Sequence, residues 1–216
     1  MPKVNEDYIK NKISKILDAA LIKFQQKPLY ELTMLDVIKE AGISKGGIYR
    51  YFSDIDEVMI ALINRETFNN NYIDKIDEIL ISTDTTEGKI EAIFTFLGNY
   101  INDSPMLLGK FQFELTVYLS NHPEKEEKFK SSLTEQENGQ YLISSLFNLI
   151  TEGVNRGEFN PAFPLNDLFD YISTTIDGVV NKVVLQNCYG STAESINVIN
   201  LFKILSNSVL HMLGII

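Results

Sequence analysis

The sequence offers little for covalent or metal chemistry. Its single cysteine, Cys188, rules out an intrachain disulfide, so nothing points to an oxidising compartment. Its two histidines, His122 and His211, stand far apart, and with one thiol no spacing typical of a metal site occurs. No metal and no other cofactor is expected. There is neither a glycine-rich phosphate loop nor a nucleophile-elbow pattern. No apolar run is long enough to cross a bilayer, and the opening stretch MPKVNEDYIKNK is too polar for a secretory signal. A cytoplasmic location, with no membrane partner, is the expectation.

Positive charge is also in deficit, but unevenly. The chain of 216 residues carries a net charge of −10. Residues 1–65 hold ten Lys/Arg against nine Asp/Glu, a balance of +1, whereas the remainder holds nine against twenty, a balance of −11. Duplex DNA would repel the long acidic part and tolerate only the N-terminal part, an asymmetry that would orient the molecule on a polyanion.

Strand-like alternation is scarce, and apolar residues recur at helical spacing nearly everywhere. Ile9, Ile13, Ile16, Leu17, Ala20, Leu21 and Phe24 mark one face of a first helix that Pro28 ends. Two short amphipathic segments follow, around 34–41 and 45–51, and then a long helix from about 54 to 80. The polar stretch from Ser82 to Gly88 is a break. Further helices are expected near 88–102, 105–120, 123–155, 164–188 and 192–213. The fold class is therefore all-α, a small N-terminal unit of three short helices joined to a larger helical body.

The segment from Thr33 to Phe52 carries the most information. Thr33 with Asp36 three residues on makes a capping-box-like start for one helix. Gly42 supplies the left-handed residue that ends it, and Ser44 caps the next helix almost at once. Two short helices joined by so tight a turn have the form of a helix-turn-helix. From Gly42 through Ser53 there are two basic residues and no acidic one. Ile43, Ile48 and Phe52 can point inward, leaving Lys45, Gly46, Gly47, Tyr49, Arg50 and Tyr51 outside. Small residues at 46 and 47 would let the second helix approach a groove closely. Lys45 and Arg50 can reach phosphates or guanine edges, and Tyr49 and Tyr51 can donate to phosphates. A surface hairpin with a tyrosine-rich packing edge would have the same spacing.

The run Gly42-Ile43-Ser44-Lys45-Gly46-Gly47-Ile48-Tyr49-Arg50-Tyr51-Phe52 resembles the recognition-helix signature of the tetracycline-repressor (TetR) family. Ile16 to Ala20, Phe24, Thr33 to Ala41 and the Asp-Glu-Val after Ile55 are similar too, together about a quarter of the chain. The resemblance implies a DNA-binding domain over 1–53 and a helical effector-binding and dimerisation domain over 54–216. It further implies a dimeric repressor that binds a palindromic operator and is released by a small molecule. Thr33, Ser44, Lys45, Gly46, Gly47, Tyr49, Arg50 and Tyr51 are the expected DNA contacts. Ser53 departs from the family pattern, which often has a phosphate-binding lysine there; Ser53 and Asp56 read instead as a helix cap.

For the effector, polar groups inside apolar helices are the sharper candidates, because burying them unpaired costs free energy. Glu114, Asp177 and Asn181 are such groups. With the aromatics Tyr100, Phe111, Tyr118 and Phe147 they form the expected effector site, although Glu114 and Asp177 could equally cap a neighbouring helix or form internal ion pairs. The apolar residues Val179, Val180, Val183, Val184, Ile196, Ile199, Leu201, Leu205, Val209, Leu210, Leu213, Ile215 and Ile216 suggest a homodimer through the last two helices. An all-α enzyme or a small-molecule carrier using an aromatic cavity is the competing reading.

Overall fold

The computed structural model describes residues 6–82, 85–103, 107–134, 136–190 and 196–215, and every regular element among them is helical. In chain order these are α1 (Glu6–Gln26), α2 (Met34–Ala41), α3 (Lys45–Ile48), α4 (Ile55–Asn69), α5 (Ile73–Ser82) and α6 (Thr86–Asp103). They continue as α7 (Leu107–Asn121), α8 (Glu126–Ser132), α9 (Gln136–Asn155), α10 (Leu165–Tyr189) and α11 (Val198–Met212). Short 3-10 turns occupy Leu29–Glu31 and Pro123–Lys125. No described helix is long and apolar enough to cross a membrane.

Two expected long helices are each divided, and for local reasons. The helix expected over 54–80 stops at Asn69. The Asn70 side chain donates to the Glu66 carbonyl at 2.7 Å, and the Asn71 side chain accepts from the Ile73 N–H at 2.8 Å. Asparagine competes for backbone groups in this way, so three in succession end one helix and start another. The helix expected over 123–155 breaks after Ser132, where Leu133 turns extended. Asn64 takes over the released backbone: its amide donates to the Ser132 carbonyl at 2.8 Å and its oxygen accepts from the Thr134 N–H at 2.8 Å. The expected helix starts at 105 and 192 lie outside the described residues.

Packing groups the described residues into two compact units. The first contains the residues up to Asn70 and those from Phe111 to Thr134; the second contains the rest, and the chain passes from one to the other within α7. In the first unit α1 packs on α2 and α4 around Ile16, Leu17, Ala20, Phe24, Val37, Ala41, Ile48, Val58 and Leu62, all buried. Phe24 and Phe111, both fully enclosed, stack with centroids 4.1 Å apart and planes within 3°.

In the second unit α6 lies against α11 and α9, with α5 and α10 completing the layers. Gly98 makes the α6–α11 approach possible, since a Cβ there would stand 3.1 Å from Phe202 Cβ. Here the expected dimer residues need correcting. Val183, Val184, Leu205, Val209, Leu210 and Leu213 are buried within the chain itself, because α11 packs against α6 and α10 packs against α11 and α9. The large apolar side chains left exposed on α10 and α11 are Tyr171, Leu185, Tyr189, Ile199 and Ile204. Ile216 lies outside the described residues.

Candidate DNA-binding site

The helix-turn-helix is built as its residue types demand. Thr33 caps α2 through a closed box: its Oγ1 accepts from the Asp36 N–H at 3.3 Å, while Asp36 Oδ2 accepts from the Thr33 N–H at 2.9 Å. Gly42 ends α2 at φ 60°, ψ 40°, a left-handed conformation that costs little only without a Cβ. Ser44 Oγ then accepts from the Gly47 N–H at 3.1 Å and opens α3. The second helix is shorter than the expected 45–51. Regular α-helix ends at Ile48, and Tyr49 to Tyr51 form a tighter turn in which the Tyr51 N–H donates to the Ile48 carbonyl at 2.9 Å. Two adjacent glycines in so short a helix favour such fraying.

Sequence-based facing is mostly right. Ile48 and Phe52 are buried, and Ile43 is half-buried. Thr33, Ser44, Lys45, Gly46, Tyr49 and Arg50 are exposed, while Gly47 and Tyr51 are half-buried. Lys45 Nζ stands 5.8 Å from the centre of the Tyr49 ring. These residues therefore share one short stretch of surface.

Charge pairing sharpens that surface in a way the sequence did not reveal. Both acids of α2 are met by lysines of the preceding segment: Lys23 Nζ lies 2.7 Å from Glu40 Oε2, and Lys27 Nζ lies 2.6 Å from Asp36 Oδ2. Burial pushes the Asp36 carboxyl up, but the hydrogen bonds from Lys27 and Thr33 and the Lys27 charge outweigh it and hold it at about 2. Lys39, Lys45 and Arg50 form no ion pair among the described residues. The helix-turn-helix thus presents cations whose own acids are already neutralised from behind. Lys39, exposed in the last turn of α2, was missed because periodicity does not say which charges are paired.

The start of α4 also differs from expectation. Asp54, not Ser53, is the cap, accepting from the Glu57 N–H at 2.9 Å, and Glu57 Oε2 accepts from the Ser53 N–H at 2.6 Å. The cap is displaced by one residue because Asp56 has other partners. It is buried and receives hydrogen bonds from the Tyr118 hydroxyl at 3.0 Å and Lys125 Nζ at 3.2 Å. Lys125 also donates to the Tyr118 oxygen, and Lys128 Nζ meets Asp54 Oδ2 at 2.8 Å.

The seven expected effector residues fall into different settings. Phe111, Glu114 and Tyr118 belong to the first unit and share a face of α7. Phe111 stacks on Phe24, Glu114 is buried and accepts from the Leu29 N–H, and Tyr118 joins Asp56. The other four belong to the second unit. Tyr100 is half-buried against Tyr72 and Phe96, with centroids 5.0 and 5.7 Å away, and Phe147 stacks on Phe169 at 4.0 Å. Asp177 and Asn181 are exposed on α10.

Comparison with known proteins agrees with this geometry. Residues 16–62 match the family described as bacterial regulatory proteins, tetR family. The chain is 26% identical over 183 residues to the HTH-type transcriptional regulator YfiR of Bacillus subtilis (strain 168), covering 85% of each chain. Among solved structures it is similar to the fatty acid degradation regulator FadR of Bacillus halodurans, with a TM-score of 0.62 and 22% identity over 92% of this chain and 94% of that one. It is similar as well to FadR of Bacillus subtilis crystallised with stearoyl-CoA, with a TM-score of 0.60 and 21% identity over 94% and 98%.

Proposed function

We propose that this chain, whose residues 16–62 match the tetR family of bacterial regulatory proteins, is a dimeric transcriptional repressor released from its operator by a small molecule. Within this reading residues 1–53 contact DNA, and the helices from 54 onward bind the effector and the second copy. Lys45, Tyr49, Arg50 and Tyr51 reach the major groove and its phosphates. Thr33, Ser44, Gly46 and Gly47 lie along the backbone, and Lys39 adds a phosphate contact.

One observation carries the proposal. The exposed surface of the helix-turn-helix holds unpaired cations, while Asp36 and Glu40 beside them are neutralised by Lys27 and Lys23. A strongly acidic protein that keeps such a face is organised to meet a polyanion with that face alone. Two copies related by a two-fold axis would set their recognition helices about 34–36 Å apart, or a multiple of that, to enter successive major grooves.

Leu185, Ile199 and Ile204 form the apolar centre of the proposed dimer face on α10 and α11. Exposed side chains of this size on neighbouring helices suit a four-helix contact with a symmetry mate. The effector is proposed to be a long apolar acyl thioester, contacted in the second unit by Tyr100 and Phe147. The likeness to a regulator crystallised with stearoyl-CoA supports that class, as do the half-buried aromatic groups around those two residues.

The test begins with a duplex selected from a random pool on the wild-type protein. Its affinity is followed by fluorescence anisotropy between 50 and 200 mM salt, first alone and then with stearoyl-CoA. A two-fold site, a steep fall of affinity with salt and release by the thioester are expected. Absence of any duplex binding at low salt would sink the DNA-binding reading. Binding of stearoyl-CoA that leaves operator affinity unchanged would sink the effector class.

A further inference from the structure

We propose that Glu114 and Tyr118 are positioning residues for operator binding, holding from one face of α7 the backbone that enters and the backbone that leaves the helix-turn-helix. The inference rests on the DNA-binding reading above. It adds a role for two residues that do not themselves belong to the exposed face.

On the entry side stands Leu29, the first residue of the 3-10 turn that leads into α2. Its N–H follows Pro28, which is extended and offers no side-chain cap. A buried backbone donor at the start of a helical turn needs an acceptor, and the Glu114 carboxylate, only 6% exposed, provides it. The stack of Phe111 on Phe24 fixes the same stretch of α7 against the end of α1. Thr33, where α2 is capped, follows four residues after Leu29.

On the exit side stands Asp56, in the first turn of α4 and four residues beyond Phe52. Its carboxylate is 7% exposed and accepts from Tyr118 at 3.0 Å. Lys125 lies 3.1 Å from Asp56 Oδ2 and donates to Tyr118 as well, so charge and hydrogen bonding close a three-member cluster. Glu114 and Tyr118 are four residues apart, which puts them on one side of α7 about 6 Å from each other. Turning or sliding this half of α7 therefore moves both flanks of residues 29–56 in step. The recognition segment between them packs on α1, to which the Phe24–Phe111 stack also fixes α7, so the segment would move together with its two flanks.

The consequence is readable in DNA binding itself. Glu114→Ala removes the acceptor, whereas Glu114→Gln keeps an oxygen that can accept from Leu29. Tyr118→Phe keeps the ring and removes the donor. Each variant is titrated with the selected duplex across the salt range, with far-UV circular dichroism, thermal melting and amide exchange measured on the same samples. E114A and Y118F are expected to bind about ten-fold more weakly, with a shallower salt slope because fewer phosphates are met at once. Faster exchange of the Leu29 amide is expected in E114A, and E114Q restores affinity and slope.

Unchanged affinity and salt slope in both E114A and Y118F would overturn the proposal. So would a loss that follows the melting temperature, leaves the slope intact and is not restored by E114Q, since that pattern marks a purely structural role. Failure of the wild-type protein to bind any duplex is a different result and removes the DNA-binding reading, whatever the Leu29 amide does.

Discussion

Lys27, the last cation before the proline that ends the α1 segment, donates to Asp36 Oδ2 at 2.6 Å, the same oxygen that closes the Thr33 capping box. One carboxylate therefore caps α2, ties it to α1 and cancels its own charge beside the recognition segment. Its pKa of about 2, against an ordinary 3.8, links this arrangement to pH. A carboxyl depressed on folding stabilises the native state above its unfolded pKa, and that contribution fades as pH falls through the folded value.

Asp36→Asn should thus cost about 1 kcal/mol at pH 7, after allowance for the screening of a partly exposed pair. The gap between wild type and variant should narrow between pH 4 and pH 2. Urea denaturation at pH 7, 4 and 2 measures it. A gap of the same size at every pH would mean that the amide merely packs worse and that the charge contributes nothing.

Tyr49 is 45% exposed, with Lys45 beside its ring. A surface truncation of this kind should change stability by no more than about 0.5 kcal/mol. Operator affinity, in contrast, should fall at least ten-fold in Tyr49→Ala. Lys45→Ala, Lys39→Ala and Arg50→Ala should each reduce the salt slope by about 1 where the side chain meets a phosphate. Anisotropy titrations against the selected duplex provide both quantities. Normal binding by Tyr49→Ala would move the contact face elsewhere.

The N-terminal segment was readable because its signals are local. Thr33 with Asp36, Gly42 and Ser44 each act within four residues, and each occupies the role its chemistry suggests. The interruptions at Asn70 and Leu133 were less legible, since helical periodicity runs through both. The second depends on Asn64, almost seventy residues away in sequence. The same distance hides the partners of Asp56 and Glu114, which lie 62 and 85 residues off. Spacing identified Glu114 as an unusual buried acid but could not say what it faces. The outward face of α11 was misjudged for a related reason: a helix apolar on several sides does not announce which side its own chain will cover.

Gly153 shows how closely the second unit is packed. A Cβ at this position on α9 would lie 2.3 Å from the ring of buried Phe159, too near for any real contact. Gly153→Ala must therefore displace the ring, which should cost about 1–3 kcal/mol. Thermal unfolding should register the loss, while the salt slope of operator binding in the folded fraction stays at the wild-type value. An unchanged melting temperature would show that Phe159 can swing aside without penalty.

Ile204 and Ile199 are 52% and 47% exposed on α11, close to Leu185 and Tyr189 in character if not in sequence. Ile204, the more exposed of the two, can be made charged at modest cost to folding. If a second copy covers them, however, Ile204→Asp brings a carboxylate into an apolar contact, where an unpaired charge is strongly disfavoured. The variant should then sediment at 24.5 kDa while the wild type sediments at twice that mass. Operator affinity should drop by a hundred-fold or more, on the order of what is lost when two linked contacts become one. Its melting temperature should lose its dependence on protein concentration, because a monomer has no association equilibrium to draw on. A wild-type protein already at 24.5 kDa at micromolar concentration would exclude the dimer, and an Ile204→Asp protein still at twice that mass would shift the contact to another face.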